Sequence, residues 1–360
     1  MARLRILIAG GGTGGHIIPA LAVARELVSQ HTADVMFVGT PRGLETRLVP
    51  AAGFNLRLIH VGQIKNVSLK TQLRTVVGIP LAVLACVRLM MRFRPGAVLS
   101  VGGYASGPAA AAALLLQIPT MAFEPNAMPG FANRLIGKHV RAAAVNFPAA
   151  ARWFRNAEVT GIPVRPEFFS LPSPPPSPPH LLVFGGSQGA RLLNVSVPKT
   201  LPALFEAVPG LTILHQSGPR HVAETEAMYR ASGADPLLWT VKPFLDDMSA
   251  RFSRANLVLA RSGASTVAEL AAAAKPSLLV PFAAAADDHQ KCNAEEMVRA
   301  GAAVMLEEAD LASPDNLLQT LIDLLIDPDR LAQMSSSART QAHPDAAERI
   351  AQRLAGLAAN

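Results

Sequence analysis

Three short runs in this chain carry the residue types that hold an anionic ligand by main-chain amides. They are Gly10-Gly11-Gly12-Thr13-Gly14-Gly15-His16, Gly102-Gly103-Tyr104-Ala105-Ser106-Gly107 and Gly185-Gly186-Ser187-Gln188-Gly189-Ala190. Without a β-carbon the backbone can approach a ligand closely, and the amides that open a following helix can take anionic oxygens. The first run contains Gly10-x-Gly12-x-x-Gly15, the spacing of the dinucleotide fingerprint, which alone is weak evidence. That fingerprint also wants a carboxylate at the end of the second strand, and here the strand ends Phe37-Val38-Gly39-Thr40. No Gly-Lys-Ser/Thr of a P-loop is present either. A single glycine loop is as readily a tight turn packing helix on strand; three of them argue for a ligand.

A second constellation follows in the later half. Arg261-Ser262-Gly263-Ala264-Ser265-Thr266-Val267-Ala268-Glu269 comes after an apolar strand and opens a helix. Its amides and hydroxyls suit a diphosphate, and the helix dipole favours negative charge by about 0.3–2 kcal/mol. Charge-assisted hydrogen bonds contribute about 1.5–3 kcal/mol each before desolvation. One turn on, Glu269 can accept both hydroxyls of a ribose, although the dipole alone would favour a glutamate there. Pro281-Phe282 is followed by Asp287-Asp288-His289-Gln290, which invites a metal reading. Consecutive ligands on one helix rarely converge on one ion, so no metal is expected. Asp327-Pro328-Asp329 reads as a turn between helices. The two cysteines, Cys86 and Cys292, lie too far apart for a thiolate zinc knuckle or a disulfide framework and read as small core residues.

These runs need strands to present them. Residues 5–9 and 180–184 are apolar strands that each end in glycines, so both halves open as strand, glycine loop, helix. Further short apolar strands are expected at 35–38, 55–59, 97–100, 120–123 and 142–145, then at 211–215, 237–241, 257–260, 277–280 and 303–306. Unbroken apolar strands with helices between them imply parallel sheets covered on both faces. The fold class is therefore α/β, with two Rossmann-like doubly wound domains facing one another across a cleft. Ligands in such sheets collect at the carboxyl ends of the strands. A run of Ser and Pro at 172–179 reads as a stiff spacer near the boundary.

The chain has 360 residues, half of them hydrophobic and 16% charged, which fits two domains and excludes wholesale disorder. Residues 1–5 lead straight into a strand, so no signal peptide is expected. The longest uncharged stretch, 95–123, is broken by Gly102, Gly103, Gly107, Pro108 and Pro119 and makes a poor membrane span. Charge is uneven. Residues 1–170 hold eighteen Lys/Arg against six Asp/Glu, and no acidic residue falls between Glu45 and Glu124. That asymmetry points to a polyanionic partner for the first half. If 68–91 is helical, Lys70, Arg74, Arg88 and Arg92 form one stripe with Val77 and Leu81, while Ile79, Leu84, Met90 and Met91 lie elsewhere around it. Basic residues beside exposed aliphatic ones suit an anionic membrane surface. Nucleic acid is not the expected partner, because Phe93 is the only aromatic there to stack on bases. Pro80 should kink or split this helix.

Taken together, Gly11-Gly12-Thr13-Gly14-Gly15-His16, Gly102 to Pro108, Gly161-Ile162-Pro163-Val164-Arg165, the loop 185–190, residues 261–269 and Asp288-His289-Gln290 make the chain resemble the MurG family of peptidoglycan glycosyltransferases over essentially its whole length. The resemblance implies a GT-B architecture, with an acceptor- and membrane-binding domain at 1–165, a UDP-GlcNAc-binding domain at 166–344, and a last helix at 345–357 packing back on the first. It implies inverting transfer of N-acetylglucosamine from UDP-GlcNAc to the MurNAc 4-hydroxyl of undecaprenyl-pyrophosphoryl-MurNAc-pentapeptide, lipid I to lipid II, in cell-wall synthesis, cell shape and division. It places the chain peripherally on the cytoplasmic face of the inner membrane. Carried over by motif, Thr13, Gly14, Gly15, Asn126, Arg165, Ser187, Leu245, Ala264, Ser265, Thr266, Val267, Ala268, Glu269 and Gln290 bind the donor. Uracil then lies near Leu245, ribose on Glu269, diphosphate near Ser187, Ala264 and Ser265, and the sugar near Gln290.

The family usually has His-Glu-Gln-Asn where this chain has Phe123-Glu124-Pro125-Asn126. A one-step inverting transfer needs a base at the acceptor hydroxyl and stabilisation of departing UDP. A helix N-terminus with Arg165 can supply the second, so no cofactor is expected. His16 is the candidate base, because imidazole is poised near neutral pH. Glu124 is the second candidate, as base or as the group orienting His16, and Tyr104 is read as touching the acceptor. The rivals are a glycosyltransferase with another lipid acceptor such as diacylglycerol, a non-catalytic sugar-nucleotide sensor and, more distantly, an oxidoreductase.

Overall fold

The computed structural model describes residues 3–61, 69–172 and 178–359, with residues 69–77 described as backbone only. The middle of the Ser/Pro run and the side chains of Lys70, Arg74 and Val77 therefore lie outside the described residues. The chain forms two compact units, Met1–Pro163 with Asp345–Asn360, and Val164–Pro344. Arg165 thus belongs to the second.

In the first unit, seven parallel strands run β1 (Arg5–Ala9), β2 (Asp34–Gly39), β3 (Asn55–Leu58), β4 (Ala97–Ser100), β5 (Thr120–Glu124), β6 (Ala142–Val145) and β7 (Ala157–Val159). Their order in the sheet is β3-β2-β1-β4-β5-β6-β7. Strands β4, β5 and β6 are buried along their whole length, as two covered faces require. β7 was not legible in the sequence. It has three residues with a charge in the middle, and it exists because β6 pairs with it in parallel and Glu158 is held from outside the sheet. The holder is the last helix, Ala346–Ala359, whose Arg349 Nη2 lies 2.7 Å from Glu158 Oε1 and whose Arg353 pairs with Oε2. That helix buries Ile350, Ala351, Leu354 and Ala355 and packs on the first helix, Gly14–His31. A β-carbon at Gly96 would fall 2.8 Å from Ala358 O, so only a glycine admits the helix so close.

The second unit has β8 (His180–Phe184), β9 (Thr212–Gln216), β10 (Trp239–Lys242), β11 (Leu257–Ala260), β12 (Ser277–Leu279) and β13 (Ala303–Met305), in the order β10-β9-β8-β11-β12-β13 and all parallel. The expected strand at 237–241 begins two residues later, because Pro236–Leu238 forms a turn of 3-10 helix capped by Asp235. The strand order reverses between β1 and β4 in one sheet and between β8 and β11 in the other. Open α/β sheets bind ligands at such switch points. The loops that leave those four strands are the three glycine runs and residues 261–269.

Pro80, expected to kink or split the helix, does not split it: the helix Leu69–Phe93 runs through it. Leu81, Leu84 and Met91 are 70%, 42% and 63% exposed, on the same side as exposed Arg88 and Arg92. Leu84 and Met91, expected off the basic stripe, flank it. This helix packs on Ser106–Leu115, which packs in turn on Phe131–Ile136, and these add exposed Leu115, Phe131 and Leu135. Among the described residues, no helix is long and apolar enough to cross a membrane.

Candidate active site

In the first unit the glycine loops after β1 and β4 lie backbone on backbone. Gly11 N donates to Gly102 O at 3.2 Å, and a β-carbon on Gly10 or Gly103 would strike the carbonyl of Gly102 or Gly11. Gly10, Gly11 and Gly12 take φ values of 143°, 147° and 93°, which side chains strain against. Sequence reasoning missed the residue that fastens this loop. Glu45, buried, accepts from Gly12 N at 2.7 Å, Thr40 N at 2.9 Å and Thr40 Oγ1 at 3.0 Å. The carboxylate sought at the end of β2 is thus present six residues on, spent on the protein. Gly14 and Gly15 form the first turn of the helix Gly14–His31, and the N-cap Thr13 makes no side-chain cap bond. Its hydroxyl instead lies 3.1 Å from Nδ1 of half-buried His16. Gly102 faces that imidazole, where a β-carbon would sit 3.1 Å from Nε2. Tyr104, in the loop after β4, is 43% exposed.

Glu124 ends β5 with its carboxylate turned into its own loop. Oε1 accepts from Asn126 N at 3.0 Å and Asn126 Nδ2 at 3.1 Å, and Oε2 accepts from Gly130 N and Asn133 Nδ2 at 3.0 Å each. Burial raises its pKa against the pull of these bonds. Phe123, at the position where the resemblance led to the expectation of a histidine, is buried in the core of the unit. At this position the chain uses its side chain for packing.

In the second unit the glycine loop after β8 exposes Ser187 and Gln188 between two glycines of positive φ, Gly186 and Gly189. Leu245, in the loop after β10, is buried, and its amide donates to Gln216 Oε1 at 3.2 Å. The helix Ala264–Ala272 follows β11. Its N-cap Gly263 has no side chain to occupy the first amides, so Ala264, Ser265 and Thr266 open the helix without a side-chain cap from that residue, and Val267 N bonds back to Gly263 O at 3.0 Å. One turn on come Ala268 and half-buried Glu269. Burial raises Glu269 from 4.5 to about 7; Arg165 pulls it down and Glu167 pushes it up. Arg165 stands 4.9 Å over the ring of Phe168 and 3.4 Å from Glu167. Gln290 accepts from Phe282 N at 3.0 Å through Oε1, which fixes its amide and turns Nε2 to the other side. The residue that opens the 261–269 run holds this segment. Arg261 donates to Val280 O and Pro281 O, pairs with Glu308 at 2.6 Å and lies 5.3 Å over Phe282. His289 Nδ1 is 2.6 Å from Ala286 O, and among the described residues no group of His, Cys, Asp and Glu could hold a metal ion.

The model of the glycosyltransferase family 28 N-terminal domain matches residues 6–145, and that of the family's C-terminal domain matches residues 180–350. The chain belongs to glycosyltransferase family 28. A relative from Anaeromyxobacter sp. (strain Fw109-5), named UDP-N-acetylglucosamine--N-acetylmuramyl-(pentapeptide) pyrophosphoryl-undecaprenol N-acetylglucosamine transferase, is 46% identical over 354 residues, 97% of this chain and 92% of its own. A relative of the same name from Myxococcus xanthus is 40% identical over 97% of this chain and 91% of its own. The crystal structure of Acinetobacter baumannii MurG superposes with a TM-score of 0.82 at 32% identity, covering 98% and 99% of the two chains. The calicheamicin glycosyltransferase CalG4 shares the fold, with a TM-score of 0.70 at 17% identity over 100% and 99%.

Within this family 28 chain, the candidate residues divide cleanly. Thr13, Gly14, Gly15, His16, Tyr104, Glu124 and Asn126 gather at the carboxyl ends of the first sheet. Arg165, Ser187, Leu245, residues 264–269 and Gln290 belong to the second unit. Glu45 and Gln216 had no signal of their own, and the quoted run showed Arg261 without its role, because each bonds peptides that sequence distance hides.

Proposed function

We propose that this chain transfers N-acetylglucosamine, with inversion, from UDP-GlcNAc to the MurNAc 4-hydroxyl of undecaprenyl-pyrophosphoryl-MurNAc-pentapeptide, converting lipid I to lipid II in peptidoglycan synthesis. The observation that carries this reading is a near full-length relative of that activity at 46% identity, whose length the chain covers almost entirely. The chemistry of the loops agrees with it. In the second unit, the uncapped amides that open the helix Ala264–Ala272, the Ser187 loop and Arg165 meet the diphosphate. Their hydrogen bonds strengthen as negative charge gathers on departing UDP. Ionised Glu269 accepts the two ribose hydroxyls, the Leu245 peptide borders the uracil, and Gln290 Nε2 donates to the sugar.

In the first unit His16 is the base: its imidazole, held at Nδ1 beside the Thr13 hydroxyl, takes the proton of the attacking hydroxyl. Gly14 and Gly15 keep the start of their helix open to substrate, and Tyr104 borders the acceptor. Glu124 positions Asn126, with both carboxylate oxygens engaged in its own loop, and is not the base.

The exposed apolar side chains Leu81, Leu84, Met91, Leu115, Phe131 and Leu135, set among Arg88, Arg92 and Arg94, support a peripheral seat on an anionic membrane. That seat is the cytoplasmic face of the inner membrane, where a lipid-borne diphosphate acceptor would be met. The test is turnover with a lipid I analogue alongside binding of UDP-GlcNAc, UDP-galactose, UDP-glucose and NADH. Turnover that requires UDP-GlcNAc is the expected result. Preference for UDP-galactose, or tight NADH binding, overturns the reading.

A further inference from the structure

We propose that Gln216 is a positioning residue that locks the loop after β8 to the loop after β10, and so fixes the spacing between the diphosphate and nucleobase subsites. The inference rests on the donor-binding reading above and names the group that makes the two subsites act as one.

Gln216 ends β9, the strand between β8 and β10, and is 3% exposed. A buried primary amide needs partners for both its oxygen and its nitrogen. Here its two ends go to different loops. Nε2 donates to Gly186 O at 2.9 Å, and Oε1 accepts from Leu245 N at 3.2 Å. Gly186 immediately precedes exposed Ser187 and holds a φ of 86°. The far shoulder of the same loop is pinned as well. Gly189 and Gly218 approach so closely that a β-carbon on either would strike the other loop, at Ser217 O or Gln188 O. Asn194 Nδ2 donates to Ser217 O at 2.9 Å, while its Oδ1 lies 3.1 Å from His215 Nε2, and His215 Nδ1 lies 2.9 Å from Tyr229 Oη. The tip carrying Ser187 is therefore rigid, and the Gln216 amide ties that rigid tip to the Leu245 peptide. A uridine diphosphate touches both loops at once. A fixed spacing means that neither loop has to be ordered again when the second half of the ligand engages.

Two substitutions separate the ends of the amide. Gln216→Glu keeps an acceptor for Leu245 N but sets a carboxylate oxygen against Gly186 O, and Gln216→Met removes both bonds. Expected for Gln216→Glu above neutral pH is UDP binding weakened about tenfold, about 1.4 kcal/mol, with uridine within about twofold. Donor KM rises in parallel while kcat holds within about twofold. Lowering the pH until the carboxyl can donate to Gly186 O restores UDP affinity relative to wild type at the same pH. Gln216→Met weakens UDP and uridine together. Because the residue is buried, a measurement on the wild type stands beside the variants. Hydrogen exchange at the Leu245 amide should slow more with saturating UDP than with saturating uridine, since the diphosphate acts on that amide through Gln216. Equal protection by the two ligands, or a Gln216→Glu protein that keeps the wild-type ratio of UDP to uridine affinity, overturns the proposal. Wild-type protein that binds neither ligand overturns the donor-binding reading itself.

Discussion

Replacing Glu269 by Gln sets stability and ligand binding against each other. Burial, with Glu167 adding and Arg165 opposing, lifts this carboxyl from 4.5 to about 7. At about 1.36 kcal/mol per pH unit, holding it ionised in the ligand-free protein costs about 3 kcal/mol. A folded-state pKa above the unfolded value means the folded state binds the proton more tightly. Stability therefore falls as pH rises from about 4.5 to about 7 and is level beyond. Glutamine carries no such penalty, so ligand-free Glu269→Gln gains up to about 3 kcal/mol above neutral pH and loses that slope. UDP works the other way. In the proposed complex the ionised carboxylate accepts two ribose hydroxyls, each bond contributing about 1.5–3 kcal/mol, and the amide oxygen replaces at most part of this. UDP affinity should fall about 10–100-fold in the variant, while wild-type affinity climbs with pH up to about 7. Denaturant unfolding across this pH range, paired with calorimetric titration of UDP, reads both effects. A variant that binds UDP as tightly as wild type refutes the ribose assignment. A variant with the wild-type pH slope of stability refutes the assignment of that slope to Glu269.

Three other perturbations probe separate parts of the chain. His16→Ala should lower turnover by about 10²–10⁴ with the UDP dissociation constant changed less than about threefold, and equal turnover removes His16 from the mechanism. Glu158 is pushed up by burial, but the hydrogen bonds and charges of Arg349 and Arg353 outweigh this and hold its pKa below the usual glutamate value. Its contribution is complete above the unfolded value and disappears as pH falls through the folded one. Glu158→Gln should thus destabilise neutral solutions by about 1 kcal/mol, a difference that closes in acid. The check is thermal unfolding of both proteins against pH. Leu81→Glu combined with Met91→Glu should cut binding to vesicles rich in anionic lipid by about tenfold or more and leave turnover of a short-chain soluble acceptor analogue unchanged. Unaltered vesicle binding removes this helix from the membrane seat.

The strands were legible because a parallel strand buried on both faces leaves an unbroken apolar run, as 5–9 and 180–184 show. β7 lacked that signal: Glu158 sits where an apolar residue would have announced it, and its arginine partners come almost two hundred residues later. Pro80 obeyed a local rule on paper, yet the helix Leu69–Phe93 continues through it, held by its packing on Ser106–Leu115. Of the site, the glycine loops were legible because their backbone conformations demand glycine. The direction of a carboxylate was not. Glu124 read as a candidate base and is folded onto Asn126, Gly130 and Asn133, and Glu45 did not register although it holds the first loop together. Sequence spacing does not record which way a side chain turns, nor that Gln216 reaches two loops that follow different strands.

The return of Ala346–Ala359 to the first unit has a consequence for synthesis. Residues 164–344 are a contiguous stretch and own every strand of their sheet, whereas Met1–Pro163 lacks its closing helix until the whole of that stretch has been synthesised. The unit begun first is therefore closed only after the other has been made. Until then Gly96 and the face of Gly14–His31 that packs on Ala346–Ala359 stay open to water or to a chaperone. A nascent chain stalled short of its final helix would expose that apolar surface while its later half could already be folded.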